Sequence, residues 1–261
     1  MKPILLVCLL LLWTISLRAV DTKKPTDHSH RIVNVQGNPT FLKLEMKLER
    51  PRRILQTPKG QLILVDSGAG TVIQRDAKGA TKVLVKDLSE PSGLTRDRQG
   101  NLYVSMHAEG EEKKGSVIQI TPDGKTKVLA KDLTGPKGLA LDVEGNLYVA
   151  CFEENQILKI EVRKGTVSTF AKEVPTPAGL VFDKRGNLYA ASSVGGTVTK
   201  ITPKGKVSQF ATGLKIPSDL AMSPEGHLLV TNYGGTVLTR VDRKGTAHEH
   251  ATVPEGTIGL C

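Results

Sequence analysis

"GPKGLALDVEGNLYVAC" spans residues 135–151. A proline opens a short apolar run, Glu144-Gly145-Asn146 breaks it, and Leu147-Tyr148-Val149-Ala150 resumes in alternation. Nearly the same phrase returns along the chain. Pro51, Pro91, Pro136, Pro177 and Pro217 open successive units 40, 45, 41 and 40 residues apart, and Thr257 stands 40 residues further on, where Thr257-Ile258-Gly259-Leu260 matches Pro177-Ala178-Gly179-Leu180.

Each unit keeps one order. Pro-x-Gly-Leu leads into a Gly-containing turn and a Leu-Tyr-Val type strand, followed by a variable loop, a Val-x-x-Ile type strand, a second Gly turn and a last strand. Glycine recurs at the turns because a tight hairpin needs positive φ at little steric cost. Alternation at period two is common after residue 19, and helical periodicity is not found there. Four short antiparallel strands per ~40-residue unit, repeated around a ring, predict an all-β, six-bladed β-propeller. Residues 31–50 read as the outer half of a unit, with strands at 31–35 and 41–44 around Gln36-Gly37-Asn38. Only the start of an inner strand remains at 258–261, so the sixth blade is expected to be shared by both termini and to lack a strand.

The N-terminus differs in kind. Lys2 precedes an apolar run from Ile4 to Leu17 broken only by Thr14 and Ser16, and Leu17-Arg18-Ala19 follows. The run is shorter than the ~20 residues of a membrane-spanning helix and has the layout of a secretory signal over 1–19, the rival being an uncleaved anchor. A secreted or periplasmic location is expected. Residues 20–30, with Asp27-His28-Ser29-His30, read as a flexible lead-in, and the propeller as 31–261. The net charge is +10, or +8 without Lys2 and Arg18, which favours acidic partners in a salt-sensitive way. After the leader only Cys151 and Cys261 remain, so packing rather than disulfides must hold the fold. Trp13 is the one tryptophan and lies in the leader, which removes indole platforms for sugars or bases. No specific nucleic-acid recognition is expected, and the protein is expected to be a monomer.

The Pro-x-Gly-Leu, Gly-Asn-Leu-Tyr-Val and Ile-Leu-Lys-Ile phrases, clearest over 136–160 and 177–201, resemble NHL repeats and the SMP-30/gluconolactonase-like propellers. That resemblance implies a six-bladed ring. It also implies either a binding module or, as in gluconolactonase-like members, a lactone-opening enzyme with a divalent metal, Ca²⁺ or Zn²⁺, in its channel. Virginiamycin B lyase is similar in repeat style, but its catalytic histidine pattern has no counterpart here. A fold shared by binders and enzymes assigns no chemistry by itself.

Candidate ligand-binding residues follow from the repeat, because the loop entering the first strand and the loop leaving the second share one face. The position after each opening proline offers Arg52, Ser92, Lys137, Ala178, Ser218 and Ile258. The end of the second strand offers Asp66, Met106, Cys151, Ser192 and Asn232. Asp66 and Asn232 match the metal ligands that the resemblance asks for, with Asp219 nearby in place of a glycine, yet the set is poor in acids and Arg52 and Lys137 repel a cation. His107 opens the longest of these loops, whose acids Glu109, Glu111 and Glu112 join Glu153 and Glu154 on the same face. They read as a rim accepting a cation or amine, or as a solvated surface. Lys78, Lys125, Lys164, Lys204, Lys206 and Lys244 fall on the opposite face, where an acidic polymer or surface would meet them. The expected function is binding of a small molecule or protein at the loop face, the alternatives being the metal-dependent lactonase or esterase and, after it, a virginiamycin B lyase-like lyase.

Overall fold

Each of the five prolines opens a strand. A computed structural model describes residues 5–6, 30–34, 40–44, 46, 48–107, 114–233, 235–253 and 257–259. Blade 1 comprises Pro51–Gln56, Leu62–Asp66, Thr71–Arg75 and Thr81–Val85, named strands A to D in that order. The corresponding strands are Pro91–Arg96, Leu102–Met106, Lys114–Ile120 and Thr126–Thr134 in blade 2, and Pro136–Leu141, Leu147–Cys151, Gln156–Glu161 and Thr166–Ala171 in blade 3. Blade 4 is Pro177–Phe182, Leu188–Ser192, Thr197–Ile201 and Val207–Ala211, and blade 5 is Pro217–Met222, Leu228–Asn232, Val237–Val241 and Ala247–Thr252. All five are antiparallel sheets in the order A-B-C-D. No helix among the described residues is long and apolar enough to cross a membrane.

The expected six blades are corrected to five. His30–Asn34 and Thr40–Leu44 pair as an antiparallel hairpin, as the outer half of a unit should, but they form a separate two-stranded sheet. Thr257–Gly259 sits between strand A of blade 5 and strand A of blade 1, and pairs in parallel with Leu5–Leu6. Among the described residues six strands therefore line the inner rim, and the sixth sector holds two two-stranded sheets in place of a four-stranded one. The reason is that the 30–34/40–44 hairpin and the 257–259/5–6 pair share no hydrogen-bonded edge among the described residues, so they do not join into one sheet. Apart from residues 5, 6 and 30, the expected signal over 1–19 and the expected lead-in over 20–30 lie outside the described residues.

The ten turn glycines read from the sequence, from Gly60 to Gly245, all have positive φ. The recurring phrase has a further cause. Asp142 accepts from the Asn146 backbone N–H at 2.8 Å through Oδ1, and from Asn146 Nδ2 at 2.8 Å and the Tyr148 hydroxyl at 3.3 Å through Oδ2. The triads Asp97, Asn101, Tyr103 and Asp183, Asn187, Tyr189 repeat this lock. Burial is the main cause that pushes the Tyr103 and Tyr189 hydroxyls up to about 12, and the neighbouring aspartates add to it.

Adjacent blades hide their apolar faces against each other. Leu147, Val149 and Ile160 of blade 3 pack on Tyr103, Val117 and Ala130 of blade 2, and each such side chain contributes ~1.5–3 kcal/mol when fully buried. Between blades 3 and 4, Tyr148 meets Phe170 and Phe182 edge to face at centroid distances of 4.8 and 4.9 Å. The glycine of Pro-x-Gly lets the A strands converge on the axis: a Cβ on Gly138 would lie 2.1 Å from the Ala178 carbonyl oxygen.

Candidate functional site at the channel mouth

In each blade a backbone hydrogen bond joins the loop entering strand A to the loop leaving strand B. The donor is the N–H of Ser67, His107, Phe152, Ser193 or Tyr233, and the acceptor is the carbonyl of Arg50, Glu90, Gly135, Thr176 or Ile216, at 2.9 to 3.2 Å. Glu90, Gly135, Thr176 and Ile216 take left-handed backbone conformations to make it, a strain that persists only where its surroundings over-determine the geometry.

These loops enclose a cavity of about 470 Å³ at the channel mouth. Of the sequence-derived candidates, Arg52, Ser92, His107, Lys137 and Ser218 line it together. Ala178, the counterpart of these residues in blade 4, lines it as well. Arg52 and Lys137 are half-buried and form no ion pair among the described residues. Lys137 Nζ lies 3.2 Å from the centroid of the Phe152 ring. Burial, then the charge of Arg52, lowers Lys137 to about 8, and Glu153 opposes the shift. Burial also lowers Arg52, with Arg50 adding to the effect and Glu90 opposing it. His107 Nδ1 is buried without a hydrogen-bond partner. Val194, Ile216 and Tyr233 form an exposed apolar wall on the side of blades 4 and 5. The acids at 109, 111 and 112 lie outside the described residues. The exposed lysines of the C–D turns stand at the other end of the ring.

The strand-end candidates behave differently. Asp66, Cys151, Ser192 and Asn232, each paired in register with its blade's opening proline, turn into the protein and not into the cavity. The Asp66 carboxylate accepts from the backbone N–H groups of Glu49 and Arg50, both at 2.8 Å, and of Gly68 and Ala69 at 3.1 and 3.4 Å. Asn232 donates through Nδ2 to the Val237 carbonyl and to Thr239 Oγ1, both at 2.9 Å, and accepts from the Lys215 N–H at 3.3 Å. Ser192 Oγ pairs with Thr199 Oγ1 at 3.0 Å. Cys151 is fully buried, and burial followed by the charge of Glu154 pushes its thiol up to about 12. Thiol reagents should therefore label the Cys151 peptide only after denaturation, and rapid labelling of folded protein would contradict its inert placement.

Two residues at the axis escaped the sequence reading in different degrees. Arg53 and Asp219 replace the glycine of Pro-x-Gly in blades 1 and 5, the blades flanking the sixth sector, and form an ion pair across it. Asp219 is fully buried and the Arg53 side chain is 12% exposed; burial lowers Arg53 to about 10. Arg53 lines both the mouth cavity and a second cavity of about 290 Å³ bounded by Leu94, Leu139, Leu180 and Leu220. The signal was present as opposite charges at the same repeat position in the first and last units.

A divalent metal does not fit these residues. Asp66 and Asn232, the proposed ligands, already spend their oxygens on backbone donors, and the mouth sets Arg52, Arg53 and Lys137 against Glu90 and Glu153. Calcium asks for 6–8 oxygens, several of them carboxylates. Among the described residues no group of three or more His, Cys, Asp or Glu is placed to hold a metal.

Comparison with solved structures gives the fold. Virginiamycin B lyase from Staphylococcus aureus is 21% identical, with 84% of this chain and 75% of that chain covered at a TM-score of 0.65. A gluconolactonase from Xanthomonas campestris is 17% identical over 82% of this chain and 79% of that one, at a TM-score of 0.69. A chain of a nidogen/laminin complex is 18% identical over 84% and 87%, at 0.71. No curated protein sequence matches. The family model described as SMP-30/Gluconolactonase/LRE-like region matches residues 16–221, and with the repeated blade phrase it shows that the chain belongs to that family.

Proposed function

We propose that the protein is exported and binds a small organic anion with an apolar body at the channel mouth. One observation carries this reading: two half-buried cations without ion-pair partners among the described residues, Arg52 and Lys137, face a cavity whose other wall is Val194, Ile216 and Tyr233. Glu90 and Glu153 offset the desolvation of these cations only in part, and a ligand carboxylate relieves the remaining cost through charge-assisted hydrogen bonds. The volume suits a small molecule. The lactonase reading has the support of family membership, but the donor set described above opposes it.

Titration calorimetry with octanoate, octanamide and octylammonium tests the proposal. Octanoate should bind, octanamide should bind at least about tenfold more weakly, and octylammonium should not bind. Binding only of the ammonium would overturn the reading. The pH dependence has a definite sign. Lys137 binds the carboxylate as the ammonium, so octanoate affinity should be full below about 8 and should be lost as pH rises through that value. An affinity flat from pH 7 to 10 would remove Lys137 from the site. Export is tested by the mass of the protein recovered outside the cytoplasm: loss of residues 1–19 supports it, and an intact Met1 refutes cleavage.

A further inference from the structure

We propose that Lys137 is an amine nucleophile that condenses with the carbonyl group of a ligand in the channel-mouth cavity, so that the site captures 2-oxo acids as imines. The carboxylate half of this proposal rests on the anion-binding reading above; the imine half rests on Lys137 itself.

Four features of the site converge on that lysine. Its backbone is fixed, since the Lys137 carbonyl accepts from Ser105 Oγ at 2.5 Å, and Gly138 beside it is wedged against Ala178. Its ammonium has no ion-pair partner among the described residues and rests on the face of Phe152. That contact stabilises the charged form, but burial and Arg52 outweigh it and bring the group to about 8. At pH 7 about 10% of Lys137 is then the free amine, against about 0.03% of a lysine at the ordinary value. A lysine made nucleophilic by desolvation and a cationic neighbour is an established route to Schiff-base chemistry. The charged and titratable groups facing it are Arg52, Arg53, Glu90, His107, Glu153 and Tyr233. Arg52 is placed for the carboxylate of a 2-oxo acid, and the unpartnered Nδ1 of His107 is a polar group with spare hydrogen-bonding capacity on the same wall.

The step balances without a further reactant. The Nζ lone pair attacks the carbonyl carbon, the C=O π pair moves to oxygen, and a proton passes from nitrogen to that oxygen to give a carbinolamine. The C–O bond then breaks with addition of a proton, the nitrogen lone pair closes the C=N bond, and the second nitrogen proton returns to solvent. The products are one imine and one water.

The mature chain incubated at pH 7 with 2-oxooctanoate and cyanoborohydride, then digested and mapped by mass spectrometry, tests this. The expected result is one reduced adduct per chain on the Lys137 peptide, at least tenfold above any other lysine. Lys137→Arg and Lys137→Met should both abolish it while keeping the circular dichroism of the native protein. Arg52→Met should slow capture of 2-oxooctanoate at least tenfold and leave capture of 2-octanone within twofold. The rate should rise with pH and level off above about 8, whereas ordinary lysines continue to gain. Adducts spread evenly over exposed lysines, or unchanged in Lys137→Arg, would overturn the proposal. Octanoate binding without an adduct would sink the imine and leave the anion site. An adduct without octanoate binding would do the reverse, and the absence of both would remove both.

Discussion

Asp219→Ala should lower the stability of the folded protein by about 3–5 kcal/mol, because it leaves the Arg53 guanidinium buried and uncompensated. The same pair replaced together, Arg53→Met with Asp219→Leu, should recover most of that loss. Two buried charges lose hydration when the ring forms, and apolar side chains of similar volume do not. The comparison isolates the pairing from the space it fills. Asp219 also accepts from the Leu220 N–H at 2.8 Å, a bond that both variants lose, so the recovery should stop short of the parent stability. Urea unfolding at pH 7 measures both. A loss below about 1 kcal/mol in Asp219→Ala would show that water already reaches Arg53 and that the contact is not a closing element of the ring.

Asp66→Ala should cost a further large amount, about 3–4 kcal/mol. Four backbone N–H groups lose their acceptor at once, and hydrogen bonds to a charged group are worth ~1.5–3 kcal/mol each before water repays part of the loss. The loop at 49–50 enters blade 1 and the loop at 68–69 leaves its strand B, so both should loosen. Chelator should change neither the wild-type unfolding midpoint nor that of the variant. If chelation of the wild-type protein reproduced the Asp66→Ala midpoint, the residue would be a metal ligand after all, and the lactonase reading would regain its footing.

These variants mark what could and could not be read before coordinates. The start of every blade was legible, because proline, glycine and period-two alternation constrain the backbone directly, and the five opening strands begin at the five prolines. The mouth position after each proline was legible for the same reason: register along a strand alternates faces. The end of strand B was not. Asp66, Cys151, Ser192 and Asn232 occupy one repeat position, but whether such a side chain turns to the channel or caps its own loop depends on which orphan donors lie nearby. That is a tertiary fact. Only coordinates showed that the Asp66 carboxylate meets the N–H groups of residues 49 and 50. The blade number failed for another reason. Counting opening phrases gives six inner strands, which is the number at the rim among the described residues, but whether outer strands join an inner one into a four-stranded sheet is set by tertiary pairing, and 30–34 with 40–44 stands apart from 257–259.

The position of Arg53 between the two cavities has a last consequence. One guanidinium is thereby a wall of two chambers, so truncating Arg53 should remove lining from both at once, at the loop end and among the leucines.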